Sequence, residues 1–168
     1  YAAVKSEGII KSIDAGLTWL PTGTFPVGTS TRIEIAASRT DPNKVYAGVY
    51  GSGIVATNDG GTTWNLIPDS TGWLSVQGWY DNIITVNPYV DTIIYVGGID
   101  LYKFTVDFST KTKTDTRISD AYGWSINGFG WTFGVHPDQQ FIDVIDDGGG
   151  NFRLLVGNDG GVDVSVSS

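Results

Sequence analysis

The chain has 168 residues, with 40% hydrophobic and only 17% charged residues, 23 glycines, and neither cysteine nor methionine, a profile of many short strands joined by tight turns rather than of a helical bundle or a disordered chain. Its formal net charge of −8 excludes nucleic acid as a partner, because few cations are present to release counterions from phosphates, and disfavours an anionic membrane surface. Without cysteine there is no disulfide framework and no thiolate metal site, and no run of about 20 apolar residues is present to insert in a membrane. Because the chain lacks methionine, residue 1 is not a translation start, and the expectation is a chain that has lost a leader or a piece of a longer one.

In chain order, residues 1–4 and 8–12 read as short strands, the second running directly into Ser12-Ile13-Asp14-Ala15-Gly16-Leu17-Thr18-Trp19. A loop of Pro, Gly and Thr residues covers 21–30. Alternation resumes at 33–36, and a turn stands at 41–44, where Pro42 presets φ. Strands at 45–49 and 54–57 lead to Thr57-Asn58-Asp59-Gly60-Gly61-Thr62-Thr63-Trp64 and a further strand at 64–67. A third unit repeats the order with strands at 83–86, 93–98 and 101–104; its next turn, 105–110, keeps only part of the pattern, and the polar run 111–117 reads as an exposed hairpin. A fourth unit has strands at 141–145, 152–157 and 162–166, joined by the Gly-rich turns 146–151 and 158–161.

The two eight-residue stretches share the pattern [ST]-x-D-x-G-x-T-W, and each residue type has a task in a tight β-turn. The carboxylates of Asp14 and Asp59 are expected to accept backbone N–H groups one or two residues on, closing an Asx-type turn. Gly16 and Gly61 supply a positive φ that a Cβ would penalise. The hydroxyls of Ser12, Thr18, Thr57 and Thr63 tie the strand ends together, and Trp19 and Trp64 carry large apolar surfaces into a neighbouring layer. This pattern resembles the Asp-box, or bacterial neuraminidase repeat, of sialidase-like and sortilin-like β-propellers.

The resemblance implies an all-β fold of four-stranded antiparallel blades. Strands recurring at intervals of about 45 to 55 residues agree with that architecture. The expected division is a blade end at 1–30, full blades at 31–70 and 71–120, and a partial blade at 121–168. That makes roughly three and a half blades, when closed propellers hold about 4 to 8. The remaining blades are expected from the same parent protein or from another chain.

In such a blade the repeated turns fall between the third and fourth strands, away from the approaches to the first strands, so Asp14 and Asp59 are read as structural. The opposite face carries Gln77-Gly78-Trp79-Tyr80-Asp81-Asn82 before one first strand and His136-Pro137-Asp138-Gln139-Gln140 before the next. These segments, with Gly157-Asn158-Asp159-Gly160-Gly161-Val162, resemble W-Y-D-N, H-x-D-Q-H and G-N-D-G-G-V stretches of secreted bacterial Asp-box proteins. The second departs from its pattern, since Gln140 replaces the final His. With one His in the chain, no metal or other cofactor is expected.

Candidate binding residues are therefore His136, Asp138, Gln139, Trp79, Tyr80, Asp81, Asn158 and Asp159, each with a turn-supporting or packing alternative. Trp73, with Trp79, Trp124 and Trp131, makes more aromatics than core packing needs, and Trp124 and Trp131 are candidates for sugar stacking or for packing between blades. No catalytic residue is assigned. The leading expectation is a non-catalytic, secreted module that binds a glycan or a protein ligand. The alternative is part of a glycoside hydrolase of the sialidase or xyloglucan-degrading kind. Most such enzymes use two carboxyls about 5 to 9.5 Å apart, and a sialidase also needs an arginine cluster, whereas this chain has only Arg32, Arg39, Arg117 and Arg153 and no Arg-Ile-Pro stretch.

Overall fold

The structure, a computed structural model, describes residues 1–28, 31–120 and 134–167; Trp124 and Trp131 lie outside the described residues. Every regular element described is a strand. Sheet one contains β1 (Ala2–Val4), β2 (Gly8–Lys11) and β3 (Leu20–Pro21), and sheet two β4 (Ile33–Ala37), β5 (Val45–Val49), β6 (Gly53–Thr57) and β7 (Asn65–Ile67). Sheet three contains β8 (Ile83–Val86), β9 (Ile93–Gly97), β10 (Leu101–Asp107) and β11 (Thr112–Arg117), and sheet four β12 (Gln139–Gly148), β13 (Asn151–Asn158) and β14 (Gly161–Val164). Each sheet is an antiparallel meander in chain order, as short connections between neighbouring strands dictate.

The core is divided into three apolar layers, each between consecutive sheets. Ile9 of sheet one meets Val45, Ala47, Val49, Val55 and Trp64 of sheet two. Tyr46, Ile54 and Ala56 on the opposite face of sheet two meet Ile84, Val86, Ile94 and Phe104 of sheet three. Ile83, Tyr95 and Leu101 then meet Val144, Leu154 and Val156 of sheet four. The period of two in a strand sends alternate side chains to opposite layers, which is why β5 and β6 are buried at every position and read as near-continuous apolar runs. Along one edge, β1 touches β4, β4 touches β8, and β8 touches β12.

The two repeated turns form the same network. The hydroxyl of Ser12 or Thr57 donates to the Asp carboxylate at 2.8 Å and accepts the Gly16 or Gly61 N–H at 2.8 or 3.0 Å. The carboxylate accepts the N–H of Thr18 or Thr63, four residues on rather than the expected one or two, at 2.9 Å and its hydroxyl at 2.5 or 2.6 Å. Hydrogen bonds from Thr18 and Ser12 hold the Asp14 carboxyl down at about 2. Burial opposes ionisation of Asp59, but Thr63 and Thr57 keep it below the ordinary range. A carboxyl lowered on folding contributes stability above its unfolded pKa, and loses it as pH falls through the folded one.

A further detail differs from the sequence-based expectation: two successive residues, not the glycine alone, take positive φ. They are Ala15 (58°) and Gly16 (89°) in the first copy, Gly60 (72°) and Gly61 (88°) in the second. The tryptophans also part company. Trp64 is buried, packs edge-on against Phe25 at 5.5 Å and donates Nε1–H to Thr22 Oγ1 at 2.9 Å. Trp19 folds back on its own turn, donating to the Gly16 carbonyl at 3.1 Å, and stays 43% exposed.

The polar run expected to form a hairpin of its own at 111–117 is instead the fourth strand of sheet three. Asp107 caps the turn before it by accepting the Ser109 N–H and hydroxyl at 2.8 and 2.6 Å. Most of β11 is exposed, but the side chain of Lys113 is buried: its ammonium lies 2.9 Å from Asp69 and 3.9 Å above the Phe104 ring. Although burial opposes ionisation of Asp69, Thr71 and Lys113 hold its carboxyl below the ordinary range. This pair fastens the outer strand of sheet three to the loop that follows β7.

Replacing Thr57 by Val removes one donor and one acceptor from a buried turn. It is expected to lower unfolding stability by about 1–3 kcal/mol in denaturant melts. Ala15→Gly relieves a left-handed non-glycine residue and is expected to raise stability by up to about 1 kcal/mol. Equal effects at the two sites would contradict the described network.

Candidate functional site

At the end of the sheets away from the repeated turns, the segments preceding the first strands of sheets three and four converge with two hairpins. Residues 77–82 lead into β8, and 134–138 lead into β12. The 98–100 hairpin joins them through the Gln139 N–H, which donates to the Gly98 carbonyl at 2.9 Å. The 158–160 hairpin closes on the same place. Here the backbone leaves the ladder, so side chains take over its polar groups. Arg32, at the start of β4, donates to the carbonyls of Tyr80 and Asn82, the second at 3.1 Å, and pairs with Glu34 at 3.0 Å. Its guanidinium is therefore the clamp that holds the segment before β8 against sheet two.

Three carboxylates gather around that clamped segment. Gln77 Nε2 bridges two of them, donating to Asp81 Oδ2 at 3.3 Å and to Asp138 Oδ1 at 3.1 Å. The Tyr80 hydroxyl donates to both oxygens of Asp159, at 3.0 and 3.1 Å. That hydrogen bond and the Asp159 charge, followed by desolvation and the charges of Asp138 and Asp81, raise the Tyr80 phenol above its ordinary pKa. Asp81 is fully buried and its Oδ1 has no hydrogen-bond partner. Burial is the main cause that pushes its carboxyl up, with the Asp138 charge adding to it, against the opposing pull of Gln77 and Arg32. Asp138 adopts a left-handed φ of 63°, uncommon for a residue with a side chain, and it is this conformation that presents its carboxylate to Gln77 across the gap between two sheets.

Of the residues singled out from sequence, Tyr80, Asp81, Asp138 and Asp159 come together. Trp79 stands beside them, its ring 5.7 Å from that of Tyr80, with 64% of its surface exposed. His136 is adjacent but directed elsewhere: its Nδ1 lies 3.1 Å from the Pro137 carbonyl, and its ring packs so closely on Gly160 that a Cβ there would come within 2.5 Å. Asn158 stabilises its own hairpin, accepting the Gly160 N–H at 3.0 Å and donating to Asp163 at 2.7 Å. Gln139 is fully buried, and its amide donates to the carbonyls of His136 and Ile99 at 2.6 and 3.2 Å. Trp73 is a core residue, 2% exposed and edge-on to Phe104.

Gln77 and Arg32 are the members not singled out. Gln77 begins the very stretch that carries Trp79, Tyr80 and Asp81, so its position was a signal. Arg32 gave none, because its role depends on a contact 50 residues away in sequence. Among the described residues, five buried side-chain polar atoms lack a hydrogen-bond partner, and those of Trp73, Asp81, Asn82 and Gln139 lie beneath this face. Buried polar groups are ordinarily satisfied, and four of the five exceptions gather at this end of the sheets. No group of three or more His, Asp or Glu side chains among the described residues is arranged to hold a metal ion. A comparison of the chain with known protein families and with curated proteins returns no match.

The raised carboxyl of Asp81 fixes a testable sign. A carboxyl whose pKa rises on folding contributes most below its unfolded pKa, and stability declines as pH climbs toward the folded value. Asp81→Asn is therefore expected to be more stable than the parent at neutral pH, with the advantage vanishing below the ordinary Asp range. Paired thermal melts at pH 3 and pH 7 read this directly, and a variant less stable at both values would contradict the assignment.

Proposed function

We propose that the chain is an arc of an Asp-box β-propeller and that it serves as a non-catalytic carbohydrate-binding module of a secreted protein. The observation that carries the binding reading is the meeting of Gln77, Tyr80 and three carboxylates beside the exposed indole of Trp79. Carboxylates and amides are strong partners for sugar hydroxyls, while an exposed indole offers an apolar face on which a pyranose ring can stack. The propeller reading is supported by four antiparallel sheets in chain order, by three cores between consecutive sheets, and by the first strands of sheets two, three and four, β4, β8 and β12, lying side by side. The Asp-box reading is supported by the identical hydrogen-bond networks of the two turns. Their carboxylates are fully engaged, which leaves them no part in ligand chemistry. The extracytoplasmic location rests on the resemblance to secreted Asp-box proteins.

Further blades, from the same polypeptide or another chain, would cover both ends of the arc. In sheet one, Leu20 of β3 is 63% exposed, and Ile13 and Leu17 in the turn before it are 85% and 84% exposed. On sheet four, Phe141 and Val162 occupy one row across the strands and are 51% and 70% exposed. Apolar surface of this kind commonly marks an interface.

A second reading, glycoside hydrolysis, is favoured by one observation: a single amide nitrogen of Gln77 holds two carboxyls, one of which retains its proton above the ordinary range. Such pairs perform general acid catalysis. Full burial of Asp81 withholds it from a substrate, so binding is the stronger reading. Calorimetric titration with neutral oligosaccharides tests it: saturable binding is expected, weakened about tenfold by Trp79→Ala, equivalent to about 1.4 kcal/mol. Released sugar that disappears in Asp138→Asn would instead establish hydrolysis.

A further inference from the structure

We infer that the sugar taken by this face is a basic one, a glucosamine-type oligosaccharide whose ammonium group meets Asp138 and Asp159 while its ring stacks on Trp79. The inference rests on the carbohydrate-binding reading above and narrows it from sugars in general to cationic ones.

Its basis is the placement of charge. The chain has ten Lys and Arg residues, and all of them lie among the described residues. Elsewhere they are set against aspartates: Lys113 on Asp69, Lys44 on Asp91, Arg117 on Asp100, Arg39 on Asp143 and Arg153 on Asp147. Asp81, Asp138 and Asp159 have no such partner among the described residues, and the side chains that donate to them, the Gln77 amide and the Tyr80 hydroxyl, are neutral. Arg32 reaches Asp81 only through its field, because its guanidinium donates to Glu34 and to two carbonyls. An isolated carboxylate in water needs no cation, but a buried one is costly without a partner. Asp81 is turned into the cluster, since its Oδ2 meets the same Gln77 nitrogen as Asp138, and its Oδ1 is fully buried with no partner at all.

The surroundings select the kind of cation. No three carboxyl or imidazole groups among the described residues are placed to coordinate a metal ion. An ammonium is a compact charge with three donors, which suits oxygens supplied by separate segments of the chain. Asp138 is half-buried and Asp159 exposed, so both can touch a ligand, while Asp81 contributes its charge from within. Tyr80 links these oxygens to the stacking surface. Its hydroxyl lies 3.0 Å from Asp159 and its ring centre 5.7 Å from that of Trp79, whose indole is exposed. A glucosamine residue carries its ammonium directly on the pyranose ring. One residue can therefore stack on the indole and present its charge to the carboxylates, with the aromatic faces adding cation–π attraction. A peptide lysine holds its charge on a flexible stem and has no ring to stack.

The test is calorimetric titration of the intact chain, near pH 6, with glucosamine trimer and with N-acetylglucosamine trimer. The free-amine trimer is expected to bind at least about tenfold more tightly, as a charge-assisted contact implies. That advantage is expected to shrink at about 1 M salt, where screening acts within about 3 Å. Asp138→Asn and Asp159→Asn each keep an oxygen for Gln77 or Tyr80, and asparagine tolerates the left-handed φ of position 138. In the double variant the advantage is expected to fall to within about twofold. A second readout needs no variant: side-chain carboxyl NMR is expected to show the Asp81 pKa moved down by the free-amine trimer and unmoved by the N-acetylated one. Equal binding of the two trimers, or an Asp81 carboxyl that ignores both, overturns the inference and leaves carbohydrate binding standing. Binding of neither trimer overturns both readings. A lysine tripeptide that binds as tightly as the free-amine trimer overturns the sugar in favour of a basic peptide.

Discussion

The side-chain carboxylate at the third position of the repeated turn constrains everything that follows it in the chain. Asp14 and Asp59 each accept the N–H and the hydroxyl of a threonine four residues on, and each is braced from behind by a hydroxyl two residues back. The chain is thereby reversed within a few residues, and the next strand leaves in a fixed direction. Because that direction is fixed, Trp64 reaches back to Thr22 and Phe25 of the preceding unit, and one local hydrogen-bond network sets the spacing between two sheets. The Gly23 N–H, donating to the Gly61 carbonyl at 2.7 Å, completes the same junction from the other side.

With one end of each sheet committed to turns of this kind, the polar diversity of the chain collects at the other. Identical residues then behave in opposite ways. The carboxyls in the repeated turns are surrounded by donors and are held ionised into acid. Asp81 is buried, with the Gln77 amide on one oxygen and the Asp138 carboxylate nearby, and burial raises it against the pull of Gln77 and Arg32. Four of the five orphaned polar atoms among the described residues, those of Trp73, Asp81, Asn82 and Gln139, lie at this second end, while the fifth, the Tyr1 hydroxyl, lies beside Gly60 of the repeated turn.

Most of the strands were legible because each carries its own signal. Alternation placed β4 and β12, continuous apolar runs placed β5, β6 and β9, and the repeated turn located β7 to within a residue. The polar strand β11 was not legible as a strand, since its sequence has no apolar periodicity and only its pairing with β10 and the buried Lys113 reveal it. The two-residue strand β3 was hidden by Pro21. At the candidate site, the stretch from Gln77 to Asn82 and the aspartates at 138 and 159 stood out by composition. That Gln139 and Asn158 would serve their own backbone could not be read, because sequence shows residue type and not which way an amide turns. The second positive φ, at Ala15, was equally hidden: alanine is no marker of that conformation, and only its neighbour Gly16 is.

Two populations of aspartate, separated by their surroundings, distinguish the two ends of the sheets. A carbon-detected NMR titration of the side-chain carboxyls in the intact chain tests it most directly. Asp14 is expected to titrate at about 2, Asp59 below the ordinary aspartate range, and Asp81 above it. An Asp81 that titrates with the repeated-turn carboxyls, or an Asp14 that titrates at the ordinary value, would contradict it.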